Sequence, residues 1–337
     1  MLKIKDIELA NISRYRGELM GAAMLFIILF HVGLARTDPF YGLRRCGNVG
    51  VDMFLFLSGV GLWFAWTKRP SLRQFYVRRL VRIYPAWLLA ACAFYIPLYL
   101  KTPGGGYSRN LFDLVANITV GWSFWRIDDL SFWYIPATLA LYVIAPFYMR
   151  LIIRHPIYRW MPMVCILWCI IVQWVGPIHH AVGHLEIFWS RVPIFLIGVN
   201  FGVLVQRKQR LDGASLWMII LLFVSTFGTT LYLEQITHGR FPLYVERMIY
   251  IPFTVTSILV LNRVFRRTPK WFNAAFKFVG SLSLEAYLIH LHFVMCYIQP
   301  LHLGYWQTFL STVAITLPLA WLLHSVLTYI TQRLFKL

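Results

Sequence analysis

The sequence has few acidic residues and few charged residues of either sign. It contains 13 Asp and Glu against 32 Lys and Arg, and charged residues make up 13% of its 337 positions. A soluble globular domain carries roughly 25% charged residues. This shortage argues against a soluble fold, and the hydrophobic share of 59% with a mean hydropathy of +0.63 indicates an integral membrane protein.

Cysteine is also scarce. The five cysteines form no Cys-x-x-Cys pair and no zinc-ligand spacing, and their number is odd. We interpret them as small apolar packing residues. His179, His180 and His184 include an i, i+4 pair that suits zinc, but no further ligand is evident, so we expect a solvated loop and predict no metal and no permanently bound cofactor.

Linkers and repeats are missing as well. No Gly/Ser-rich linker, soluble segment or internal repeat interrupts the chain, so we predict one domain over residues 1–337. The first sixteen residues are too polar for the apolar core of a signal peptide, so we expect the first apolar span to stay in the mature protein.

The apolar runs are long enough to cross a membrane. A transmembrane helix needs about 20 residues. The hydropathy pattern predicts an all-α bundle of about ten spans: 17–35, 47–66, 84–100, 131–153, 160–176, 187–205, 214–233, 247–264, 276–298 and 307–330.

The positive charge is distributed in short clusters between these spans. The formal net charge is +19, yet most Lys and Arg lie in loops on one face of the predicted bundle. This pattern is typical of the positive-inside rule and places both termini in the cytoplasm. It argues against nucleic acid as a partner and makes the lipid bilayer the expected environment.

The outer loop 101–130 is long for a simple connector. It begins with a Gly-rich turn and continues with an apolar stretch too short to span the bilayer. We expect an interfacial or re-entrant helix here, and an ordinary surface loop is the alternative.

Ionisable residues inside the apolar spans predict a functional site. Such a group costs several kcal/mol in hydrocarbon, roughly 2.5–3.5 on insertion scales, and usually faces a polar cavity. His31 and His290 each lie 14 residues from the inner end of their predicted spans, about 21 Å by helical rise. We expect them in one outward-facing chamber.

Each of these residues has a chemical and a structural interpretation. For His31 we predict a catalytic base or nucleophile, because imidazole titrates near neutral pH, and a packing histidine is the alternative. Asp52 and Arg191 are interpreted as ion-pair or orienting groups, with a direct catalytic role for Asp52 as the alternative. Glu285 is either a polar residue that locks the span in place or a partner of a histidine, and for His290 and His292 the structural role is favoured.

A cationic segment lies on the cytoplasmic side. Residues 67–87 hold six basic residues and no acidic one. Arg79 and Arg82 are three positions apart, hence on one face of a helix, and such a pair can bind phosphate groups. We predict that Arg78, Arg79 and Arg82 bind a phosphorylated donor. A topology signal that contacts anionic lipid is the alternative.

Several motifs together resemble the membrane acyltransferase 3 family over nearly the whole chain. They follow the histidine of the first span in the order GNVGVDMFLFLSG (47–59), RRLVRIYP (78–85), SFWYIPATLALYVIAP (131–146), SRVPIFLIGVNFG (190–202) and GSLSLEAYLIH (280–290). The resemblance implies transfer of an acyl group, usually acetyl from cytoplasmic acetyl-CoA, to a hydroxyl of a glycan or lipid-linked glycan at the outer face. The expected location is a cell membrane, specifically a bacterial inner membrane.

The family's site residues carry over to particular positions. Its histidine falls on His31, its aspartate on Asp52, and its Arg-x-x-Arg pair on Arg79 and Arg82. Two positions depart from the family. Met20 stands where a basic residue is common, with Arg16 one turn earlier, and the fourth span lacks a frequent glutamate. Arg16, Arg191, Glu285 and His290 are predicted second-layer or acceptor-site residues.

Other functions remain open from the sequence. His31 either deprotonates the acceptor hydroxyl or carries the acyl group covalently. A secondary transporter or flippase is the main alternative class, because intramembrane His, Asp and Glu also build proton relays, although no inverted repeat is visible. A structural or sensory protein is a third.

Overall fold

A computed structural model of the protein describes residues 7–102, 105–127 and 129–335. Helices dominate these ranges. In the first half of the chain they are α1 (Ala10–Arg14), α2 (Arg16–His31), α3 (Tyr41–Cys46), α4 (Val49–Lys68), α5 (Leu72–Lys101), α6 (Leu111–Val120), α7 (Trp122–Ile127), α8 (Tyr134–Arg154) and α9 (Met161–Trp174).

The second half continues the same architecture. Its helices are α10 (Gly176–Val182), α11 (Glu186–Trp189), α12 (Val192–Gln206), α13 (Gly213–Gln235), α14 (Leu243–Arg267), α15 (Lys270–Ser281), α16 (Ser283–Ile289), α17 (Cys296–Ile298) and α18 (Tyr305–Phe335). Two short strands, β1 (Ile7–Glu8) and β2 (Arg210–Leu211), pair antiparallel with Ile7 opposite Leu211.

Within the described ranges, seven helices are long and apolar enough to cross a membrane, and nine if each of two bent helix pairs is one span. The protein is therefore an all-α, multi-pass membrane protein. α2 corresponds to the predicted first span, but it ends at His31 because Val32 is extended. At 16 residues it rises about 24 Å. The predicted total of ten spans and the cytoplasmic termini stay predictions.

The helix that contains the third predicted span, 84–100, is longer than the span. α5 starts at Leu72 and includes Arg73, Arg78, Arg79 and Arg82 of the cationic segment. Ser71 caps this helix by accepting a hydrogen bond from the backbone amide of Gln74. Arg78, Arg79 and Arg82 are therefore helical, and the last two share a face.

Glycines allow the central helices to pack closely. A Cβ atom at Gly21 would lie 2.0 Å from the carbonyl oxygen of Phe276, and one at Gly280 would lie 1.9 Å from the carbonyl oxygen of Gly17. Gly59 of α4 and Gly198 of α12 are equally crowded by each other's helix. Small residues at such contacts let transmembrane backbones approach each other.

Two spans are bent, and each bend carries polar residues. The pair 176–189 and 192–206 bends by 41°, with Arg191 at the break, and the pair 270–281 and 283–301 bends by 59°. A π-helical turn, His290–Met295, follows α16 in the second pair. π-helical turns are rare in proteins overall, and those that do occur are often located at functional sites.

The outer loop contains two helices, of which α6 is the longer. With ten residues it rises about 15 Å and cannot span the bilayer. It exposes Leu111, Phe112 and Val115. Asp113 holds the loop, because its carboxylate accepts a hydrogen bond from Arg109 Nε at 2.8 Å. An apolar exposed face suits an interfacial helix, and that placement stays a prediction.

Candidate active site

The two intramembrane histidines are in direct contact. His31 is the last residue of α2 and His290 the first of the π-helical turn, and His31 Nδ1 lies 3.2 Å from His290 Nε2. The rings meet edge to face with their centroids 5.0 Å apart. His290 is almost completely buried and His31 is half-buried. The structure thus brings together two residues that lie 259 positions apart.

Backbone carbonyls determine the proton positions of this pair. His290 Nδ1 lies 2.8 Å from the carbonyl oxygen of Tyr287, and His31 Nδ1 lies 2.8 Å from that of Ile27. A carbonyl only accepts, so both Nδ1 atoms carry hydrogen in the neutral rings. His290 Nε2 then has a lone pair that faces the Nδ1–H group of His31. No residue of the described ranges hydrogen-bonds His31 Nε2, which is left as a free base.

The end of α2 is held by hydrogen bonds to its terminal carbonyls. Gln299 Nε2 donates to the carbonyl of His31 at 3.0 Å, and Arg44 Nε donates to that of Phe30 at 3.0 Å. The Tyr305 hydroxyl donates to the carbonyl of Leu29 at 3.2 Å. Helix ends leave such carbonyls unsatisfied. These side chains therefore fix the position from which His31 acts.

His292 belongs to the packing rather than to the pair. Its Nε2 atom donates to the carbonyl of Ser131 at 2.9 Å. Its ring lies between Phe94 and Phe132, with centroid distances of 4.6 and 4.8 Å. These contacts support the structural interpretation of His292.

A cavity of about 230 Å³ lies at the other end of α2. Three arginines from two helices face it, namely Arg16 of α2 and Arg79 and Arg82 of α5. The remaining wall is formed by apolar and hydroxyl-bearing side chains: Met20, Phe54, Ser58, Gly61, Ile83, Tyr134, Ile135, Thr138, Tyr142, Ser283, Leu284 and Tyr287. We call this the arginine cavity.

The positive charge of the arginine cavity is not neutralised by protein. No salt bridge joins Arg16, Arg79 or Arg82 to a carboxylate within the described parts of the chain. Arg79 Nε is buried without a hydrogen-bond partner. Arg16 Nε donates to the carbonyl of Leu57 at 3.3 Å, and Gly61 leaves room for its guanidinium. Such a site favours an anion, because guanidinium groups without a carboxylate partner can donate charge-assisted hydrogen bonds to phosphate oxygens.

The arginine cavity and the histidine pair lie along the same face of α2. Arg16, Met20, Ile27 and His31 are separated by four, seven and four positions, which are close to whole helical turns. Arg16 and His31 are fifteen residues apart, which corresponds to a helical rise of about 22 Å along the axis of α2. The cavity also reaches Tyr287, whose carbonyl accepts the hydrogen bond from His290.

Arg78 does not contribute to this cavity. It is on the same helix as Arg79 and Arg82, but its side chain is exposed and does not line the cavity. A one-residue step along a helix turns the side chain by about 100°. The structure therefore separates Arg78 from the other two predicted donor-binding residues and adds Arg16 to them.

The side chains of Asp52, on α4, and Arg191, directly before α12, face each other. Arg191 Nε lies 3.5 Å from Asp52 Oδ1, and Arg191 Nη2 donates to Asn48 Oδ1 at 3.1 Å. The guanidinium also lies over the ring of Trp133, 5.1 Å from its centroid. Both charged residues are buried. The geometry is that of an orienting ion pair, and no hydrogen bond or ion pair within the described ranges joins Asp52 to His31.

Glu285 contacts a different histidine from the one in its own span. Its Oε1 atom lies 2.8 Å from Nδ1 of His324 on α18. Five positions separate Glu285 from His290, so the two side chains leave their helix in different directions. The structure therefore does not bring Glu285 into the histidine pair.

Two features of the site were not predicted from the sequence. Tyr134, Thr138 and Tyr142 repeat at i, i+4 and i+8 on α8 and supply hydroxyl groups to the arginine cavity. That spacing places the three hydroxyl groups on one face of a helix and could have been read from the sequence.

The second feature is a cluster in which Glu234, His238 and Glu246 bring three ligand-type atoms within 4.8 Å of one another. Arg45 Nε lies 2.8 Å from Glu234 and balances part of this charge.

The fold and the site define a multi-pass helical membrane protein with an arginine-lined cavity and a pair of histidines in contact. The chain belongs to the acyltransferase 3 family, since the family model described as "Acyltransferase domain" matches residues 21–325. No curated protein and no solved structure matches it significantly. Membership confirms the family assigned from the motifs and supports acyltransferase activity in general terms.

Proposed function

We propose that the protein transfers an acetyl group from cytoplasmic acetyl-CoA to a hydroxyl of a glycan, free or lipid-linked, at the outer face of a cell membrane. One observation carries the proposal: a single face of α2 joins an uncompensated arginine cavity at one end to a histidine with a free Nε2 at the other. We place the protein in a bacterial inner membrane on the basis of the family resemblance.

The arginine cavity suits the phosphates of the donor. Arg16, Arg79 and Arg82 offer planar guanidinium groups that match phosphate geometry, and none is occupied by a carboxylate of the described residues. The pantetheine arm of CoA is on the order of 15–20 Å long, close to the ~22 Å of helical rise between Arg16 and His31. One donor molecule therefore bridges the two ends of this face.

His31 can act by two routes. As a general base, its Nε2 takes the proton of the acceptor hydroxyl while the oxygen attacks the thioester carbonyl, and the carbon–sulfur bond breaks to release the CoA thiolate. In the covalent route Nε2 itself attacks the carbonyl, and the carbon–sulfur bond breaks to release the CoA thiolate. The acceptor oxygen then attacks the acyl-histidine, the bond from Nε2 to the acyl carbon breaks, and the freed Nε2 takes the hydroxyl proton. In both routes Nδ1 keeps its hydrogen bond to His290 Nε2, which stabilises the positive charge that develops on the ring.

The test is acetyl transfer by the purified protein. The protein in proteoliposomes is given acetyl-CoA labelled in the acetyl group together with a glycan acceptor, and covalently labelled acceptor is measured. Label in the acceptor supports the proposal. Movement of an unmodified solute across the bilayer without covalent labelling would instead support a transporter or flippase and would refute acetyl transfer.

A further inference from the structure

A second cavity lies beside the arginine cavity and shares part of its wall. It has a volume of about 170 Å³ and is enclosed by α5, α16 and α18. Arg82, Ser283 and Leu284 line both cavities. We call this second space the α18 cavity. The two cavities are therefore neighbours that meet at Arg82.

The size of the arginine cavity alone does not fit the donor. Pockets for ligands of drug size measure roughly 300–1,000 Å³. At about 230 Å³ the arginine cavity is below that range, and an acyl-CoA is a large ligand. A bound donor must extend into a neighbouring space, and the α18 cavity directly adjoins the arginine cavity.

The α18 cavity has a different chemical character. Its polar groups are the hydroxyls of Ser281, Ser283, Thr328 and Thr331, the carboxylate of Glu285, the imidazole of His324 and, at the junction, the guanidinium of Arg82. Glu285 is buried and bound to His324, whose side chain is 43% exposed. A carboxylate disfavours a phosphate but accepts hydrogen bonds from an amino group. Hydroxyls with apolar walls suit a nucleoside, which has an apolar face and polar edges.

We propose that the α18 cavity binds the adenosine portion of the acyl-CoA donor, with Arg82 holding the pyrophosphate between the two cavities. The proposal rests on the proposed use of an acyl-CoA donor. The guanidinium of Arg82 carries five N–H donors in a planar fork, so it can bind phosphate oxygens from the junction. The pantetheine arm then follows the arginine cavity toward Tyr287 and His31.

The experiment compares two donors that differ only at the nucleotide end. Acetyl-CoA carries the adenosine portion, whereas acetyl-4′-phosphopantetheine keeps the pantetheine arm and one phosphate. Thr328→Trp fills the α18 cavity from α18. Ser325→Trp is the matched control, because Ser325 is an exposed neighbour on the same helix that does not line the cavity.

The proposal expects a donor-specific effect. Thr328→Trp should lower kcat/KM for acetyl-CoA about tenfold or more, the size of one or two lost hydrogen bonds, and leave that for acetyl-4′-phosphopantetheine within about twofold. Ser325→Trp should change neither value. An equal loss with both donors, or wild-type protein that uses both donors equally well, would overturn the adenosine site.

Binding measurements keep the two proposals distinguishable. Calorimetry with CoA and with 4′-phosphopantetheine gives the same comparison without turnover. Tight CoA binding without acetyl transfer would contradict the proposed function, while the ratio of the two affinities still tests the adenosine site. If Thr328→Trp does not fold, Glu285→Gln and His324→Ala replace it, and an unchanged ratio in both would refute the site.

Discussion

His290 accepts a hydrogen bond from His31, with 3.2 Å between its Nε2 atom and Nδ1 of His31. The direction of this bond follows from the carbonyls of Ile27 and Tyr287, which hold the Nδ1 hydrogens of both rings. Both Nε2 atoms are then unprotonated, and His31 Nε2 is the one without a hydrogen-bond partner among the described residues. A neutral histidine thus occupies the orienting position behind the base, where many enzymes use a carboxylate.

The first prediction concerns His31. His31→Ala should lower kcat by about 10²–10⁴-fold, the usual contribution of a general base, because the variant lacks the Nε2 atom that takes the proton of the acceptor hydroxyl. Transfer to a labelled acceptor measures the rate. His292→Ala is the control, since His292 packs against Phe94 and Phe132. Full activity of a well-folded His31→Ala protein would remove His31 from the catalytic role.

The second prediction concerns His290 as a positioning residue. His290→Ala should lower kcat about tenfold, since one hydrogen bond to a developing charge is lost, and leave KM for acetyl-CoA unchanged. His290→Gln offers a side-chain oxygen that can accept from His31 Nδ1 and should restore part of the rate. A purely structural role would be indicated by equal losses in both variants together with a lowered melting temperature.

The sequence predicted the helices better than the partners of their polar residues. Hydropathy located the long helices, because apolar runs of span length have few other structures available in a membrane. It ended the third span at the arginines, although α5 continues through them to Leu72. The number of residues between each histidine and the inner end of its predicted span placed His31 and His290 at the same depth in the bilayer. Their contact additionally depends on a 59° bend and a π-helical turn, neither of which the sequence pattern predicted.

Contacts between distant helices were the least predictable part. Glu285 and His290 share a span, yet Glu285 binds His324 because α18 packs on its side of the helix. The sequence predicts Arg16 as a second-layer or acceptor-site residue, whereas its position in the arginine cavity depends on α2 lying over Gly61 of α4. Rotation about a helix axis is set by packing, which a single sequence does not specify.

The third prediction concerns donor affinity. Arg16→Ala, Arg79→Ala and Arg82→Ala should each weaken CoA binding by roughly 10- to 150-fold, since a charge-assisted contact contributes about 1.5–3 kcal/mol. Calorimetry with CoA measures this change. Arg78→Ala is the matched control. Arg78 is on the same helix but does not line the arginine cavity, so this variant should bind CoA like the wild type. Equal effects at Arg78 and Arg79 would indicate a general electrostatic contribution from the segment.

The fourth prediction concerns the outer loop and pH. The hydrogen bond from Arg109 lowers the pKa of Asp113, so the tether is favoured above the ordinary aspartate pKa of about 3.9 and is lost as pH falls through the lower folded value. An acid-stable protease should cleave residues 105–127 slowly at about pH 5 and rapidly at a pH well below the ordinary aspartate pKa. In Asp113→Asn, cleavage should be fast at both pH values. Equal cleavage of wild type and variant would exclude Asp113 as the tether.

The last prediction concerns the sides from which the two substrates arrive. The lysine and arginine distribution predicts that Arg79 and Arg82 face the cytoplasm, whereas His31 lies about 22 Å farther along α2 from Arg16. In sealed vesicles of one orientation, labelled acetyl-CoA should work only when supplied on the cytoplasmic side. Acetylated glycan should then form in the opposite compartment, because the acyl group crosses with the pantetheine arm while CoA stays behind.

Vesicles permeabilised with detergent are the control for this experiment, since they should accept acetyl-CoA from either side. Arg79→Ala in sealed vesicles should raise the acetyl-CoA concentration needed without changing the side on which the product forms. If sealed vesicles acetylate only a glycan supplied together with acetyl-CoA on the cytoplasmic side, the route along α2 is wrong even though acetyl transfer is right. The histidine pair would then have to receive its acceptor through the arginine cavity.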